Sequence, residues 1–189
     1  MLTHNDLKRG ARFILNQEPY EVLDSFPIKK AQGRAIVQTR IKNLITGAVL
    51  DKNFHQGDVF DQADISKIDI KFLYSHKDKF IFSERNNPSK RFELSENQLG
   101  SSSKFLKPNE IVEGLVFDDK IINISLPIKI QLKVIEAPPS FKGNTAQGGT
   151  KTVKLETKAE INAPLFINEG DIIEINTEKE EYVKRIEKK

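Results

Sequence analysis

Short runs of alternating apolar and polar residues, each broken within a few positions by turn-forming residues, recur along the whole chain. That pattern is the strongest constraint on the fold, because a period of two places alternate side chains on opposite faces of a strand. Ala35–Lys42 is the clearest case. It puts Val37, Thr39 and Ile41 on one face and Gln38, Arg40 and Lys42 on the other. Ile14–Leu15 and Tyr20–Leu23 flank the turn-like Asn16–Pro19, and Thr46–Gly47 marks a further break. Lys67–Tyr74, the polar turn Ser75–Lys79 and Phe80–Phe82 read as a hairpin, followed by a loop at Asn86–Ser89. Glu110–Phe117, Ile121–Ser125, Lys129–Glu136, Thr152–Glu156, Ala163–Ile167, Asp171–Asn176 and Tyr182–Ile186 read as strands as well. One helix interrupts them over Leu94–Leu106, with Ser95 as N-cap and Gln98 three residues on, a capping-box spacing.

Many short strands at close spacing point to small barrels or sandwiches rather than to one large sheet. The expected fold class is all-β. Turn or proline residues near Asp64–Ile65 and Pro127 divide the chain into three β-domains, 1–64, 65–127 and 128–189. Twelve phenylalanines, a single methionine and no tryptophan in 189 residues imply small cores of Ile, Val, Leu and Phe. Domains of this size are marginal alone, so packing between neighbours is expected to help.

Several chemistries are excluded or left unsupported. The chain has no cysteine, which rules out disulfides, thiolate zinc sites and cysteine nucleophiles and fits a reducing, cytoplasmic setting. His4, His55 and His76 are far apart with no metal-ligand spacing, and read as scattered surface histidines. The carboxylates Asp58, Asp61, Asp64 and Asp118–Asp119 read as solvated turn residues without a partner base or nucleophile, so an enzyme is not expected. The N-terminus lacks the apolar stretch of a secretory signal, and no run is long enough for a membrane helix. A net charge of +3 is compatible with a nucleic-acid partner without requiring one. Gly143–Lys151 superficially resembles a phosphate-binding loop. It fails on spacing, since no lysine follows Gly149 directly, and on context, since a strand rather than a helix follows. A glycine-rich connection flanked by Lys142 and Lys151 still suits contact with a phosphate backbone.

The stretch KKAQGRA, Lys29–Ala35, sets Lys29, Lys30 and Arg34 around Ala31, Gln32 and Gly33 between two strands. It reads either as a solvated hairpin end or as a cationic tip reaching phosphates. Periodicity does not choose between the two.

AIVQTRIKNLITG at Ala35–Gly47 and AVLDKNFHQGD at Ala48–Asp58 resemble the first domain of bacterial elongation factor P. LSENQLG, KFLKPNEIVEGLVFDDKIINISLP and the segment from Lys142 to Ile186 resemble the rest of the same family, over essentially the whole length. The resemblance implies an SH3-like barrel of KOW type followed by two OB-folds, L-shaped overall. It implies a monomeric cytoplasmic factor without a cofactor or metal that binds the 70S ribosome beside the peptidyl-tRNA, initiator or prolyl. By orienting that tRNA it would stimulate peptide-bond formation at consecutive prolines. Lys29–Arg34 would be the loop that reaches the tRNA CCA end. An ungapped alignment puts Gln32 at its tip, where many members carry a modified lysine or arginine; placing Lys30 there needs a compensating gap. Gln32 has no amine or guanidinium to modify, which implies an unmodified tip. Gly143, Asn144 and Thr145 would match the loop near the mRNA exit-site codon, with Asn144 in place of an aspartate. Two alternatives accompany this reading. One is an elongation factor P-like paralogue with a different stalling-motif preference. The other is a generic RNA-binding OB-fold protein, which the absence of tryptophan and the presence of only three tyrosines disfavour.

Overall fold

The computed structural model describes residues 1–28, 35–139 and 149–188. The chain is all-β, and among the described residues its longer strands gather into three antiparallel sheets. The first is a meander of β2 (Arg12–Leu15), β3 (Glu18–Ile28), β4 (Ile36–Asn43) and β5 (Val49–His55). A short pair, β1 (Leu2–Thr3) and β6 (Val59–Phe60), and a bridge between Phe13 and Gln62 bring the ends of this sheet together. Its core holds Leu7, Phe13, Tyr20, Val22, Ile41 and Phe54. The Phe13 ring meets Phe54 edge-on at 5.6 Å, a preferred aromatic geometry. Asn16 and Gln17 form the two-residue turn between β2 and β3, with φ of 52° and 68°. Positive φ at both central residues matches the right-handed twist of a hairpin, and asparagine tolerates it well. Val37, Thr39 and Ile41 are buried and Gln38 and Arg40 exposed, as the alternation predicts.

The second sheet runs in the order β11-β10-β7-β8-β9, from β7 (Ser66–His76), β8 (Lys79–Glu84), β9 (Asn87–Ser95), β10 (Ile111–Phe117) and β11 (Lys120–Ser125). Between β9 and β10 lies α1 (Glu96–Leu99), so five strands with a helix after the third give the OB-like arrangement. The expected helix over Leu94–Leu106 is corrected here. Leu94 lies in β9, α1 makes one turn, and Gly100–Phe105 continues as a tighter 3-10 helix. Gly100 at φ 57° breaks the α geometry, and the Ser103 hydroxyl donates to its carbonyl at 2.7 Å, competing for the backbone. The capping box itself is present. Ser95 Oγ accepts from the Gln98 N–H at 3.3 Å, and Gln98 Oε1 accepts from the Ser95 N–H at 2.9 Å. The loop expected at Asn86–Ser89 is also shorter, because β9 begins at Asn87.

The third sheet, β14-β13-β12-β15-β16, contains β12 (Lys129–Glu136), β13 (Thr150–Leu155), β14 (Glu160–Pro164), β15 (Ile172–Asn176) and β16 (Glu181–Glu187). The outer strands β14 and β16 approach each other and curl the sheet toward closure. The strand expected over Ala163–Ile167 lies earlier, ending at Pro164. A proline has no N–H to continue a ladder, which suits a strand end. The histidine reading needs one correction: His4 is buried in a 3-10 turn, while His55 and His76 are exposed.

Neighbouring sheets are packed together. Leu44, Leu115 and Ile122 form a small shared core between the first and second, with Ile45, Ile65 and Phe117 against it. Phe105, from the 3-10 helix of the second unit, is buried in the core of the third.

Candidate nucleic-acid interface

The β3–β4 hairpin is the arm that carries the first predicted site. Its ladder runs from Tyr20 opposite Asn43 to Ile28 opposite Ile36, one pair past Pro27 and the buried Val37, which β5 joins to the core through Phe54. β2 pairs only as far as Glu21, so beyond that point β3 has β4 as its partner strand. Lys29, Lys30, Ala31, Gln32, Gly33 and Arg34 join the two strands in sequence and lie outside the described residues. A register shift between Val22 and Asp24 marks a β-bulge at Leu23. The outward rotation it gives Phe26, which is 61% exposed, is not visible in the sequence. Beside the arm opens a cleft of about 500 Å³ lined by His4, Lys8, Arg9, Phe26, Pro27 and Val37, which sets two cations near an aromatic edge. Arg9 also lies 3.4 Å from Glu178 of the third unit.

Gly143, Asn144 and Thr145 likewise lie outside the described residues, between β12 and β13. The described flank is tightly built. Lys151 Nζ donates to the Pro138 carbonyl at 2.9 Å, and a Cβ on Gly149 would meet Leu165 Cδ1 at 3.0 Å. The Lys151 amine, read from sequence as a phosphate contact, is engaged at the loop base.

The carboxylates behave as turn residues. Asp58 Oδ2 accepts from the His55 N–H at 2.8 Å, and Asp118 and Asp119 form the β10–β11 turn with positive φ. Asp6 accepts from the Thr3 hydroxyl at 2.7 Å and the Thr3 N–H at 2.9 Å. The hydroxyl contact first, and then the N–H, hold its carboxyl below the usual range. Among the described residues, no group of three or more His, Asp or Glu side chains is placed to hold a metal ion.

Sequence reasoning did not single out the seam behind the arm. Asn123, 3% exposed, donates from Nδ2 to the carbonyls of Leu44 at 3.1 Å and Gln98 at 2.8 Å. Gly47, at φ 77°, sits where a Cβ would fall 2.7 Å from the Asn97 carbonyl oxygen. The turn that ends β4 is thereby fastened to α1 of the second unit.

An SH3-like sheet with a long β3–β4 hairpin flanked by β5 out to His55, followed by two five-stranded OB-like sheets, defines a modular all-β protein. The family described as "Elongation factor P (EF-P) KOW-like domain" matches residues 3–60, and "Elongation factor P, C-terminal" matches residues 130–185. Elongation factor P of Synechococcus sp. (strain JA-3-3Ab) is 38% identical over 185 residues, covering 98% of this chain and 100% of the relative. That of Symbiobacterium thermophilum is 35% identical with the same coverage, and that of Acetivibrio thermocellus 36% identical over 186 residues, 98% of this chain and 100% of its own length. The chain belongs to the elongation factor P family. It is a translation elongation factor and, as such, a ribosome-associated one. The structure of a eukaryotic translation initiation factor 5A from Methanococcus jannaschii is 17% identical and superposes with a TM-score of 0.46, covering 66% of this chain and 92% of that one. Among the described residues, no helix is long and apolar enough to cross a membrane.

Proposed function

We propose that the chain acts as a cytoplasmic monomer, divided into domains 1–64, 65–127 and 128–189. It binds the 70S ribosome beside the peptidyl-tRNA and stimulates peptide-bond formation at consecutive prolines. The observation that carries this reading is the β3–β4 ladder. It runs to Ile28 opposite Ile36, one pair past the buried Val37, and is joined in sequence by a segment holding Lys29, Lys30 and Arg34. A stiff arm ending in cations suits contact with the phosphates of a tRNA acceptor end. Proline fixes φ in the nascent chain and restricts its approach to the reacting geometry. Holding the peptidyl-tRNA in place offsets part of that barrier without a covalent step by the factor, since positioning alone supplies several kcal/mol. Gln32 stands unmodified at the tip and hydrogen-bonds ribose or phosphate, while the neighbouring cations supply charge. Gly143, Asn144 and Thr145 contact mRNA near the exit-site codon.

A reconstituted translation system tests this reading. The protein should raise the yield of a Pro-Pro-Pro reporter and leave a proline-free control unchanged; equal yields with and without it reject the reading. Replacing Lys29, Lys30 and Arg34 by alanine should weaken rescue and flatten its salt dependence, by roughly 0.7–0.9 in log–log slope for each phosphate no longer neutralised.

A further inference from the structure

The outer face of the arm changes character toward its tip. Were β3 regular, Val22, Asp24 and Phe26 would share the buried face, because side chains alternate with a period of two. The bulge at Leu23 breaks that phase, so Asp24 pairs with Arg40 and Phe26 with Gln38 on the solvent side. The pairing of β4 with β5 extends these pairs into three rows: Asp24–Arg40–Asp51, Phe26–Gln38–Asn53 and Ile28–Ile36–His55. Arg40 is flanked by two carboxylates, which offset its charge. The two rows nearer the tip hold an aromatic ring, two amides, an imidazole and two isoleucines. Phe26 is 61% and Ile28 39% exposed, and Gln38, Asn53 and His55 are exposed as well.

We infer that this face, centred on Phe26, is a stacking platform for an unpaired nucleotide of RNA. An exposed ring offers a π-face to any base, and the amides of Gln38 and Asn53, on the neighbouring strands of the same row, offer donors and acceptors to its edge. Charge complementarity selects nucleic acid over an apolar partner. Lys29 and Lys30 follow Ile28 directly in the chain and Arg34 precedes Ala35 and Ile36, so cations adjoin in sequence the row nearest the tip; Lys8 and Arg9 belong to the cleft of the opposite face, where Arg9 pairs with Glu178. Area argues against a second copy or another protein, because a stable protein interface needs about 800 Å² per partner and these two short rows supply far less. The inference rests on the ribosome-binding reading for the source of the RNA, but not for the stacking itself.

The chain has no tryptophan, so F26W introduces a sole indole whose emission a stacked base quenches. Ribosomes holding a peptidyl-tRNA stalled at consecutive prolines are titrated into F26W, and their affinities for wild type, F26W, F26L and F26A are compared. Quenching is expected, with wild-type affinity in F26W and a loss of roughly five- to 150-fold in F26A and F26L, the range of one stacked base. F26L bound within twofold of wild type, or no quenching in F26W, overturns the platform. With a benzophenone-bearing residue at position 26, a photocrosslink to RNA supports the inference, and one to a ribosomal protein or a second copy overturns it. Should wild-type protein fail to bind ribosomes, the ribosome reading falls by itself. F26W is then titrated with a single-stranded oligoribonucleotide, where quenching keeps the platform and its absence removes it.

Discussion

Asn123 couples the arm-bearing unit to its neighbour, and its removal has a calculable cost. Its amide donates to two backbone carbonyls from different parts of the chain, Leu44 at 3.1 Å and Gln98 at 2.8 Å, while Oδ1 accepts from the Ile124 N–H at 2.8 Å. Asn123→Ala leaves the buried Leu44 carbonyl without this partner, which costs about 1–3 kcal/mol. The Gln98 carbonyl is only partly buried, so water replaces the amide there and the loss is about 0.5–1.5 kcal/mol. The expected destabilisation is therefore about 1.5–4.5 kcal/mol, concentrated at the seam. Asn123→Asp tests the cause. It preserves volume and the Oδ1 acceptor but turns a carboxylate toward two carbonyls, so it should cost at least as much as alanine. The assay is native-state hydrogen exchange on the full chain, read at the Leu44 N–H, which bonds the Pro19 carbonyl at 2.9 Å, together with urea denaturation. Exchange suits a chain of several packed units, for which a single unfolding free energy is poorly defined. Opening free energies within about 0.5 kcal/mol of wild type, or an aspartate variant milder than alanine, would refute the reasoning.

Gly47→Ala places a Cβ against the Asn97 and Gln98 carbonyls at positive φ. It should lower stability by at least about 1–2 kcal/mol, measured by denaturation midpoint. Thr3→Ala should raise the Asp6 pKa toward its ordinary value in an NMR titration. Because the folded pKa is lowered, Asp6's contribution is present above its unfolded pKa and is lost as pH falls through the folded one, so the 3-10 turn at His4–Asp6 should loosen only in acid. Asp171 is 1% exposed, accepts from the Asn168 N–H at 3.0 Å, and lies 3.4 Å from Arg185 Nη1. Asp171→Ala takes the buried acceptor from the Asn168 N–H and leaves a part-exposed Arg185, so it should cost about 1–3 kcal/mol, read as early melting of the third unit. Ser95→Ala removes one side of the capping box and should cost about 1 kcal/mol by chemical denaturation.

Most of the strand pattern was legible, because one buried face imposes alternation. β4 shows this best, with Val37, Thr39 and Ile41 inward. β5 escaped notice for the converse reason. It is an edge strand with Val49, Leu50 and Asp51 exposed and only Phe54 buried, so its sequence carries almost no period. The helix over 94–106 failed because apolar spacing does not register the break at Gly100. The bulge at Leu23 leaves no local signature, so Val22, Asp24, Phe26 and Ile28 look like one face until the register with β4 is known. Asn123 reads as an ordinary polar residue in a strand, since its partner carbonyl lies 79 residues away. The cationic tip was legible as charge, but its role entered through family resemblance rather than periodicity.

The seam and the arm bear on each other through leverage. From Tyr20 to Ile28 the arm spans eight residue steps, roughly 26 Å at about 3.3 Å per step. A rotation of roughly 5° at its base therefore moves its far end by about 2 Å, while a misplacement of about 1 Å already costs on the order of a hundredfold where positioning is the mechanism. A factor that works by orientation needs its base held to a degree or two. Asn123 and Gly47 supply that restraint with backbone contacts, which are stiffer than the exposed ion pair between Arg9 and Glu178. Variants at the seam should thus lose proline rescue while retaining ribosome affinity, whereas variants at Phe26 should lose affinity first. Loss of both in the same proportion at the seam would show that Asn123 acts through stability alone.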